Sequence, residues 1–353
     1  MKHLHIIYAI VKEKIVTLQC SKYTCMQNAI EIDNLKKTFR SKKAKRITVE
    51  AVKGISLSVT SGEIFGFLGP NGAGKTTTLR MLTTLLPIDS GMAMVAGFDL
   101  KKNPKEVRRH IGYVSQAGGG DLYATGWENL ILAGRLYGMT QKAVEQRANE
   151  LADLMAIREI LPRVVKTYSG GQKRRLEVAL GMIHSPKILF LDEPTTGLDP
   201  QNRANMWDQV QKLRAMGTTV FLTTHYLEEA DMLADRLAIM DDGLIVAQGT
   251  PKELKQQISG DIIQIRLKAG HPDINEIKTT LTKESYIREV RFEGENVYLY
   301  VDDGTRVVQP VFGLLEREKI EIDAISFSRP SLDDVFLKQT GRLLRDVGKE
   351  EQE

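Results

Sequence analysis

The chain lacks the features that would place it outside the cell or within a membrane. Only two cysteines occur in 353 residues, Cys20 and Cys25, and their spacing matches neither a CxxC pair nor a cysteine–histidine metal cluster. We therefore expect no disulfide framework and a reducing compartment. No window holds the roughly 18 consecutive apolar residues that a membrane-spanning helix needs, so a membrane role would depend on a partner chain.

A large excess of charge of one sign is also missing. Lys+Arg number 49 against 45 Asp+Glu, which gives a net charge of +4. The densest basic cluster has no aromatic residues between its charges and is typical of a solvated turn; it consists of Lys42, Lys43, Lys45 and Arg46. We expect no nucleic-acid partner. The hydrophobic content of 42% is ordinary for a globular protein, and the length suggests two domains.

The first positive signal is a glycine-rich loop between a predicted strand, Glu63 to Leu68, and a helix predicted from Lys75 through Leu86. Its glycines let backbone N–H groups point at phosphate oxygens, while Lys75 would meet the β- and γ-phosphates and Thr76 would offer a hydroxyl to Mg²⁺. The alternative, a structural glycine turn, fits this placement poorly. The expected nucleotide-binding residues are Gly69, Pro70, Asn71, Gly72, Ala73, Gly74, Lys75, Thr76 and Thr77.

Two adjacent acids follow a later strand, Lys187 to Leu191. Asp192 would reach Mg²⁺ directly or through water, and Glu193 would orient and partly deprotonate an attacking water. The alternative for Glu193 is a turn or N-cap acid before a proline. His225 follows the predicted strand Thr218 to Thr223, at the sheet edge where α/β proteins bind ligands, and would contact the γ-phosphate; the alternative is a structural histidine.

Two further residues are candidates for contacts with nucleotide. Gln116 follows a predicted strand, Ile111 to Ser115, and precedes three glycines, so its amide lies on a loop that can move and could complete the shell of Mg²⁺ or water. The alternative is a surface glutamine. Phe39 could stack on adenine, or it could be an ordinary buried aromatic near a strand end.

A third motif, Tyr168 to Gln172, reads Tyr-Ser-Gly-Gly-Gln. The order of the motifs along the chain resembles that of an ATP-binding cassette (ABC) ATPase. These motifs are the glycine loop, Gln116, Tyr168 to Gln172, the paired acids, Gly197 to Asp199 and His225. The resemblance implies a homodimer in which each copy helps to bind the ATP of the other. It assigns phosphate contacts in trans to Ser169, Gly170 and Gly171, a coupling loop to Asp199, and hydrolysis in cis to Glu193 and His225.

Longer stretches narrow the resemblance to the daunorubicin-resistance type of exporter ATPase: Tyr168 to Glu177, Leu222 to Asp231, Gly249 to Lys255 and Ser331 to Phe336. The similarity covers nearly everything from Asn28 to Arg342. It implies a peripheral subunit at the cytoplasmic face of the membrane, working with ATP, Mg²⁺ and a separate membrane permease to export a drug, lipid or other cargo. The departures are Tyr168 for leucine, Phe39 for tyrosine, and three glycines after Gln116.

The pattern of elements predicts an α/β fold with a mainly parallel sheet, opened by an antiparallel layer whose strands include Ala29 to Leu35 and Ile55 to Val59. The resemblance makes this a P-loop NTPase of the ABC type with a helical subdomain at about 117–183. We expect a disordered extension at 1–28, the ATPase domain at 29–259, and a small βαββαβ domain of ferredoxin-like outline at 260–330. A helix and tail would occupy 331–353.

Two other functions are compatible with parts of the sequence. A cassette ATPase of DNA repair or translation usually carries a long coiled coil or a second cassette, and the chain has neither. A nucleotide-dependent regulatory module would be expected to lack Glu193 or His225, and both are present. For the first 25 residues, a mobile extension before Met26 is favoured over a signal peptide, because charged residues interrupt the apolar run.

Overall fold

The computed structural model describes residues 28–40, 48–258, 260–268, 274–318 and 320–341. The larger part of the chain contains β1 (Asn28–Arg40), β2 (Thr48–Thr60), β3 (Ile64–Leu68), α1 (Lys75–Leu82), β4 (Ser90–Val95), β5 (Phe98–Asp99), α2 (Pro104–His110), β6 (Ile111–Val114), α3 (Gly126–Leu136), α4 (Gln141–Leu154), α5 (Gly170–Met182), β7 (Ile188–Asp192), α6 (Pro200–Ala215), β8 (Thr219–Thr224), α7 (Leu227–Leu233), β9 (Arg236–Asp241), β10 (Leu244–Gly249) and α8 (Pro251–Gln256). The remainder contains β11 (Asp261–Leu267), α9 (Ile274–Thr282), β12 (Ile287–Glu293), β13 (Asn296–Val301), α10 (Gly304–Arg317), β14 (Ile322–Ser328) and α11 (Leu332–Thr340).

The central sheet has six strands in the order β10-β9-β3-β8-β7-β6. Its pairings are parallel except for β10 with β9, so the predicted α/β class with a mainly parallel core is confirmed. Every residue of β3, β7 and β8 is buried. Such continuous apolar strands are typical of a parallel sheet that is covered on both faces.

Alternate residues of the central strands point to opposite faces of the sheet, and a different layer of the molecule covers each face. Ile188 and Phe190 pack with α1 and with the antiparallel sheet β2-β1-β4-β5, whereas Leu189 and Leu191 pack with helices α3 to α6. This division follows from the two-residue period of side chains along a strand. Because these strands are parallel, the carboxyl ends of β3, β6, β7 and β8 meet at one edge of the sheet, between the two layers that cover its faces.

The smaller part forms an antiparallel sheet in the order β12-β13-β11-β14, with α9 and α10 packed against one face. The elements follow in the order βαββαβ, as the pattern predicts, and the strand order is that of a ferredoxin-like sheet. Tyr298 and Tyr300 point from the other face into a cluster shared with α11 and with residues of the larger part, including Leu68 and Leu254. The two parts are thus joined by a common apolar cluster.

Several local expectations are wrong in their bounds. Helix α1 ends at Leu82 rather than Leu86, because Thr84 is left-handed (φ +62°) and the next two N–H groups both turn back to the carbonyl of Arg80. The helical spacing after Glu128 is divided between α3 and α4, where Gly138 (φ +81°) reverses the chain. The short elements β4, β5, α2 and β10 were not predicted.

Some expectations fall outside the described residues. These are the N-terminal extension with Cys20 and Cys25, the basic turn at 41–46, and the tail beyond Gly341. Among the residues that are described, every helix is too short or too polar to cross a bilayer.

Candidate active site

The glycine loop joins the carboxyl end of β3 to the first turn of α1, and close backbone contacts explain two of its glycines. A Cβ on Gly69 would lie 2.2 Å from the carbonyl oxygen of Met240, and one on Gly74 would lie 2.3 Å from that of Ala51. Gly74 is also left-handed, with φ +104°. The loop borders a cavity of about 360 Å³, which is lined by Ala51, Pro70, Asn71, Gly72, Ala73, Gly74, Lys75, Thr76, Thr77, Gln116 and Glu193.

Lys75 forms the positively charged floor of this cavity. Its side chain is only 4% exposed, and Nζ donates to the carbonyl oxygens of Gly69 (2.7 Å) and Pro70 (2.9 Å). Glu193 Oε1 lies 3.6 Å away. Burial lowers the pKa of Lys75, and the opposing charge of Glu193 limits that effect. An ammonium held at this point, beside the first N–H groups of α1, is suited to phosphate oxygens.

Asp192 ends β7 and is 1% exposed. Its Oδ1 accepts hydrogen bonds from Thr76 Oγ1 at 3.1 Å and from Thr223 Oγ1 at 2.7 Å, which brings the ends of three elements together. A carboxylate beside a hydroxyl, next to a phosphate-binding loop, is a hard oxygen donor set that suits Mg²⁺. The residues present therefore fit the predicted metal.

Glu193, the next residue, collects most of the other polar contacts. Its N–H donates to the carbonyl oxygen and to Oγ1 of Thr223, at 3.1 Å each. Its Oε2 accepts from Thr196 Oγ1 at 3.1 Å and from Gln116 Nε2 at 3.2 Å. His225 Nδ1 lies 3.1 Å from the same oxygen. The backbone is left-handed, with φ +47°, a conformation that a glutamate seldom adopts.

The surroundings of Glu193 favour its ionised form. Burial acts to raise its pKa, but His225, Lys75 and Thr196 together outweigh burial and hold the pKa below the ordinary value for glutamate. A group that accepts a proton from water must first be deprotonated. Glu193 meets that requirement at neutral pH.

The Tyr-Ser-Gly-Gly-Gln motif begins helix α5 through a reciprocal cap. Gln172 N donates to Ser169 Oγ at 3.3 Å, and Ser169 N donates to Gln172 Oε1 at 3.0 Å. A Cβ on Gly171 would lie 2.4 Å from Asn202 Oδ1, and Asn202 donates in turn to both carboxylate oxygens of Asp199. Asp199 and the motif are therefore neighbours at the start of two helices.

The structure brings six of the predicted residues together. Lys75, Gln116 and His225 contact Glu193, and Thr76 contacts Asp192. Ser169, Gly170, Gly171 and Asp199 form a second group, which does not line the 360 Å³ cavity. Phe39 lies on β1, 42% exposed, with Lys37 Nζ 5.8 Å from its ring and likewise outside the cavity lining.

Sequence reasoning missed three polar residues of this region. Thr223 holds both Asp192 and the peptide of Glu193, and the signal for it was its place at the end of a strand adjacent to β7. Arg174 donates to carbonyl oxygens on either side of Glu193, and the only signal was its place within the Tyr168 to Glu177 stretch.

Glu229 on α7 is the third. It is fully buried and accepts from Thr195 Oγ1 at 2.9 Å and from Trp207 Nε1 at 3.2 Å. Burial raises the pKa of Glu229 above its usual value. Its contacts join α7 to α6 and to the loop after Glu193.

A larger cavity of about 520 Å³ is lined by Ser115 and Gly118, which lie close to Gln116 in the chain. It is a cleft between the sheet edge at β6 and the helices α3 and α5, and it includes the three glycines after Gln116. Leu132 and Leu136 line it while remaining exposed, Leu136 at 79%. Its apolar lining contrasts with the polar cavity at the glycine loop.

Comparison with known proteins adds family information to this geometry. Residues 52–196 match the ABC transporter family, and residues 249–340 match the C-terminal domain of the ATP-binding protein DrrA1-3-like family. The daunorubicin/doxorubicin resistance ATP-binding protein DrrA of Streptomyces peucetius is 41% identical over 323 residues, which cover 92% of this chain and 96% of that protein.

The Nod factor export ATP-binding protein I of Sinorhizobium fredii (strain NBRC 101917 / NGR234) is 36% identical over 324 residues, covering 90% of this chain and 88% of that protein. Among solved structures, the dimeric structure of MJ0796, a bacterial ABC transporter cassette, aligns with a TM-score of 0.57 at 25% identity. That alignment covers 63% of this chain and 98% of the cassette.

Proposed function

The chain belongs to the ABC transporter family as an ATP-binding and ATP-hydrolysing subunit, and we propose that it drives export through a separate membrane permease. The observation that carries the proposal is the set of contacts around Glu193. A buried carboxylate with a lowered pKa lies between Lys75 of the phosphate loop and His225. This is the arrangement that water-dependent cleavage of a γ-phosphate requires.

In the proposed reaction ATP occupies the 360 Å³ cavity, with its phosphates on the loop N–H groups and Lys75. Thr76 and Asp192 would hold Mg²⁺, which offsets phosphate charge when bound. Glu193 would orient the attacking water and accept its proton. His225, in contact with Glu193, would steady the carboxylate and reach the γ-phosphate, while Gln116 donates to the same carboxylate from the loop above.

We also propose that two copies close each site together. Ser169, Gly170 and Gly171 lie at the start of a helix, where N–H groups are suited to phosphate, yet they do not line the cavity of their own chain. Ser169 and Gly170 are exposed and Gly171 is buried. A second copy, turned to face the first, would bring these residues and Asp199 to the bound ATP. The dimeric form of the similar cassette MJ0796 supports this arrangement.

The permease would dock in the 520 Å³ cleft. The exposed leucines of α3 offer an apolar surface to a helix of a partner. Gln116, which donates to Glu193, lies in the chain between the cleft residues Ser115 and Gly118. The subunit would then be peripheral, at the cytoplasmic face. The names of similar proteins range from daunorubicin/doxorubicin resistance to Nod factor export, so the cargo is assigned to the permease rather than to this chain. Residues 29–259 would be the motor and 260–330 an appended domain.

The test is Glu193→Gln, which keeps the shape of the side chain and removes its basicity. We expect ATP turnover to fall by about 100-fold or more, ATP affinity to change little, and a nucleotide-bound dimer to accumulate. Turnover is measured by phosphate release, affinity by fluorescent-nucleotide titration and dimer formation by light scattering. Glu145→Gln, at an exposed position of α4, is the matched control. An unchanged rate in Glu193→Gln would remove this residue from its assigned role.

A further inference from the structure

Arg174 is a buried arginine on α5, 7% exposed, whose three guanidinium nitrogens all donate hydrogen bonds. Nε donates to the carbonyl oxygen of Pro194 at 2.8 Å, and Nη2 donates to that of Asp192 at 2.9 Å. Nη1 donates to the carbonyl oxygen of Ser115 at 2.7 Å and to Glu177 Oε2 at 2.9 Å. The planar fork of arginine therefore meets four acceptors from three separate segments.

Two of these acceptors flank Glu193. Arg174 donates to the carbonyl oxygens of the residues before and after Glu193, Asp192 and Pro194, while Glu193 between them is left-handed, with φ +47°. A non-glycine residue persists in that conformation only when its neighbours fix it. Thr223 accepts a hydrogen bond from the N–H of Glu193, and Arg174 donates to the carbonyl oxygens of Asp192 and Pro194.

The other two acceptors belong to the wall of the cleft. Ser115 follows the last residue of β6 and precedes Gln116. Glu177 packs on the loop after Gln116, where a Cβ on Gly118 would lie 2.4 Å from Glu177 Oε1. Ser115, Gly118 and Glu177 all line the 520 Å³ cleft. One guanidinium thus bonds both to the segment that carries Glu193 and to the surface proposed for the permease.

We propose that Arg174 is a positioning residue that holds the Glu193 segment in its catalytic backbone conformation and anchors that segment to the cleft wall through Glu177. The inference rests on the proposed role of Glu193. Arg174 does not line the 360 Å³ cavity proposed for ATP. It acts by keeping the carboxylate aligned, so its loss should affect turnover far more than ATP binding.

The test uses the full chain carrying Arg174→Lys, which keeps the charge but has one nitrogen in place of a planar fork. We expect kcat for ATP hydrolysis to fall about tenfold or more, with KM for ATP within about twofold of the original value. Glu177→Gln keeps the carbonyl contacts and removes only the ion pair, so kcat should fall by a smaller factor with KM again unchanged. Arg175→Lys is the matched control, because within the described part of the chain the hydrogen bond of Arg175 goes to the carbonyl oxygen of Ala156 rather than to the Glu193 segment.

If Arg174 only stabilised the fold, its variants would differ from this expectation in dimer formation and in ATP affinity. Combined with Glu193→Gln, Arg174→Lys should still form the nucleotide-bound dimer, since the cap of α5 at Ser169 does not involve Arg174. Loss of that dimer, or equal losses in kcat and ATP affinity, would show that Arg174 only stabilises α5 and would overturn the proposal. A wild-type kcat in Arg174→Lys would overturn it as well.

The proposed function and this inference fail in distinguishable ways. If Glu193→Gln retains full turnover, the assignment of the catalytic carboxylate is wrong, whatever Arg174→Lys does. If Glu193→Gln is inactive and Arg174→Lys is fully active, the function stands and the inference falls.

Discussion

At the scale of single residues, the site is built around a backbone conformation that its central residue disfavours. A non-glycine residue in a sparsely populated region of backbone space costs on the order of 1–3 kcal/mol. Glu193 is held there by hydrogen bonds to Thr223 and by those of Arg174 to the flanking carbonyls. With this backbone conformation, the carboxylate of Glu193 points into the cavity directly after the end of β7.

The contact of His225 with Glu193 predicts a change in pH dependence. His225 helps to keep the pKa of Glu193 below its ordinary value, so His225→Ala should raise that pKa. The base would then become protonated at a higher pH, and the acid limb of the kcat profile should move upward in pH while kcat itself falls. The measurement is the ATPase rate as a function of pH under saturating nucleotide.

His110→Ala is the control for this prediction. His110 lies on α2 in contact with Phe98, away from the residues that line the nucleotide cavity. Its removal should leave the acid limb in place. An acid limb that stays fixed in His225→Ala would show that Glu193 does not depend on this histidine for its charge.

Residue types and order in the sequence were enough to select Lys75, Thr76, Asp192, Glu193, Gln116 and His225, and the structure does bring these side chains together. What the sequence could not predict was how they are held. The left-handed Glu193 and the bonds of Arg174 to the two carbonyl oxygens flanking it depend on where three distant segments meet, and no local sequence pattern predicts that meeting.

At the scale of elements, buried side chains link helices whose order in the chain says little about their contact. Glu229 on α7 accepts from Thr195 in the loop after β7 and from Trp207 on α6. The three elements are thereby joined through one carboxyl group. Since α6 begins at Asp199 and α7 follows His225, this link connects two segments that approach nucleotide in the proposed dimer.

Glu229→Ala should therefore destabilise the fold. It removes the acceptor for two buried donors and leaves a void, which together cost about 2–4 kcal/mol of unfolding free energy. Glu229→Gln keeps an acceptor oxygen and cannot ionise. The measurement is urea denaturation followed by circular dichroism, over a range of pH.

The sign of the pH effect follows from the raised pKa of Glu229. A carboxyl whose pKa is higher in the folded state binds its proton more tightly there, so its stabilisation is greatest below the unfolded pKa and is lost as pH rises through the folded pKa. Wild type should lose stability relative to Glu229→Gln as pH increases over that window. A constant difference would show that Glu229 has the same pKa in the folded and the unfolded protein.

The elements that sequence reasoning found best are those with strong internal patterns. The apolar strands β3, β7 and β8 and the βαββαβ order of the smaller part match their predictions closely. The misses have local physical causes. The left-handed Thr84 shortens α1, and Gly138 divides one helical pattern in two. The antiparallel strands β4 and β10 contain apolar runs but are only six residues long, and periodicity alone does not distinguish a strand from a helix in so short a run.

At the scale of the whole molecule, the smaller part packs against the larger one through apolar side chains of both parts. Phe336 on α11 is fully buried in a cluster that contains Leu68 and Leu254 of the larger part and Tyr300 of the smaller sheet. The DrrA-like match at residues 249–340 includes this helix. The cluster indicates that the two parts are stabilised jointly.

Phe336→Ala should therefore lower the stability of the entire chain by about 3–5 kcal/mol, as expected for a deleted core phenylalanine. Thermal unfolding should show one transition at lower temperature, and the ATPase rate should decline together with the folded fraction. Phe312→Ala removes an exposed phenylalanine of α10 and is the control, with a change within about 0.5 kcal/mol. A second, separate transition in Phe336→Ala would show that the parts unfold independently.

The separation of Ser169 to Gly171 from the cavity of their own chain has a genetic consequence. If every site is completed by another copy, a cell that makes both intact and Glu193→Gln subunits will assemble mixed pairs. The share of pairs with two working carboxylates then falls as the square of the intact fraction. The defective allele should behave as dominant, suppressing export even while the intact gene is expressed at its normal level.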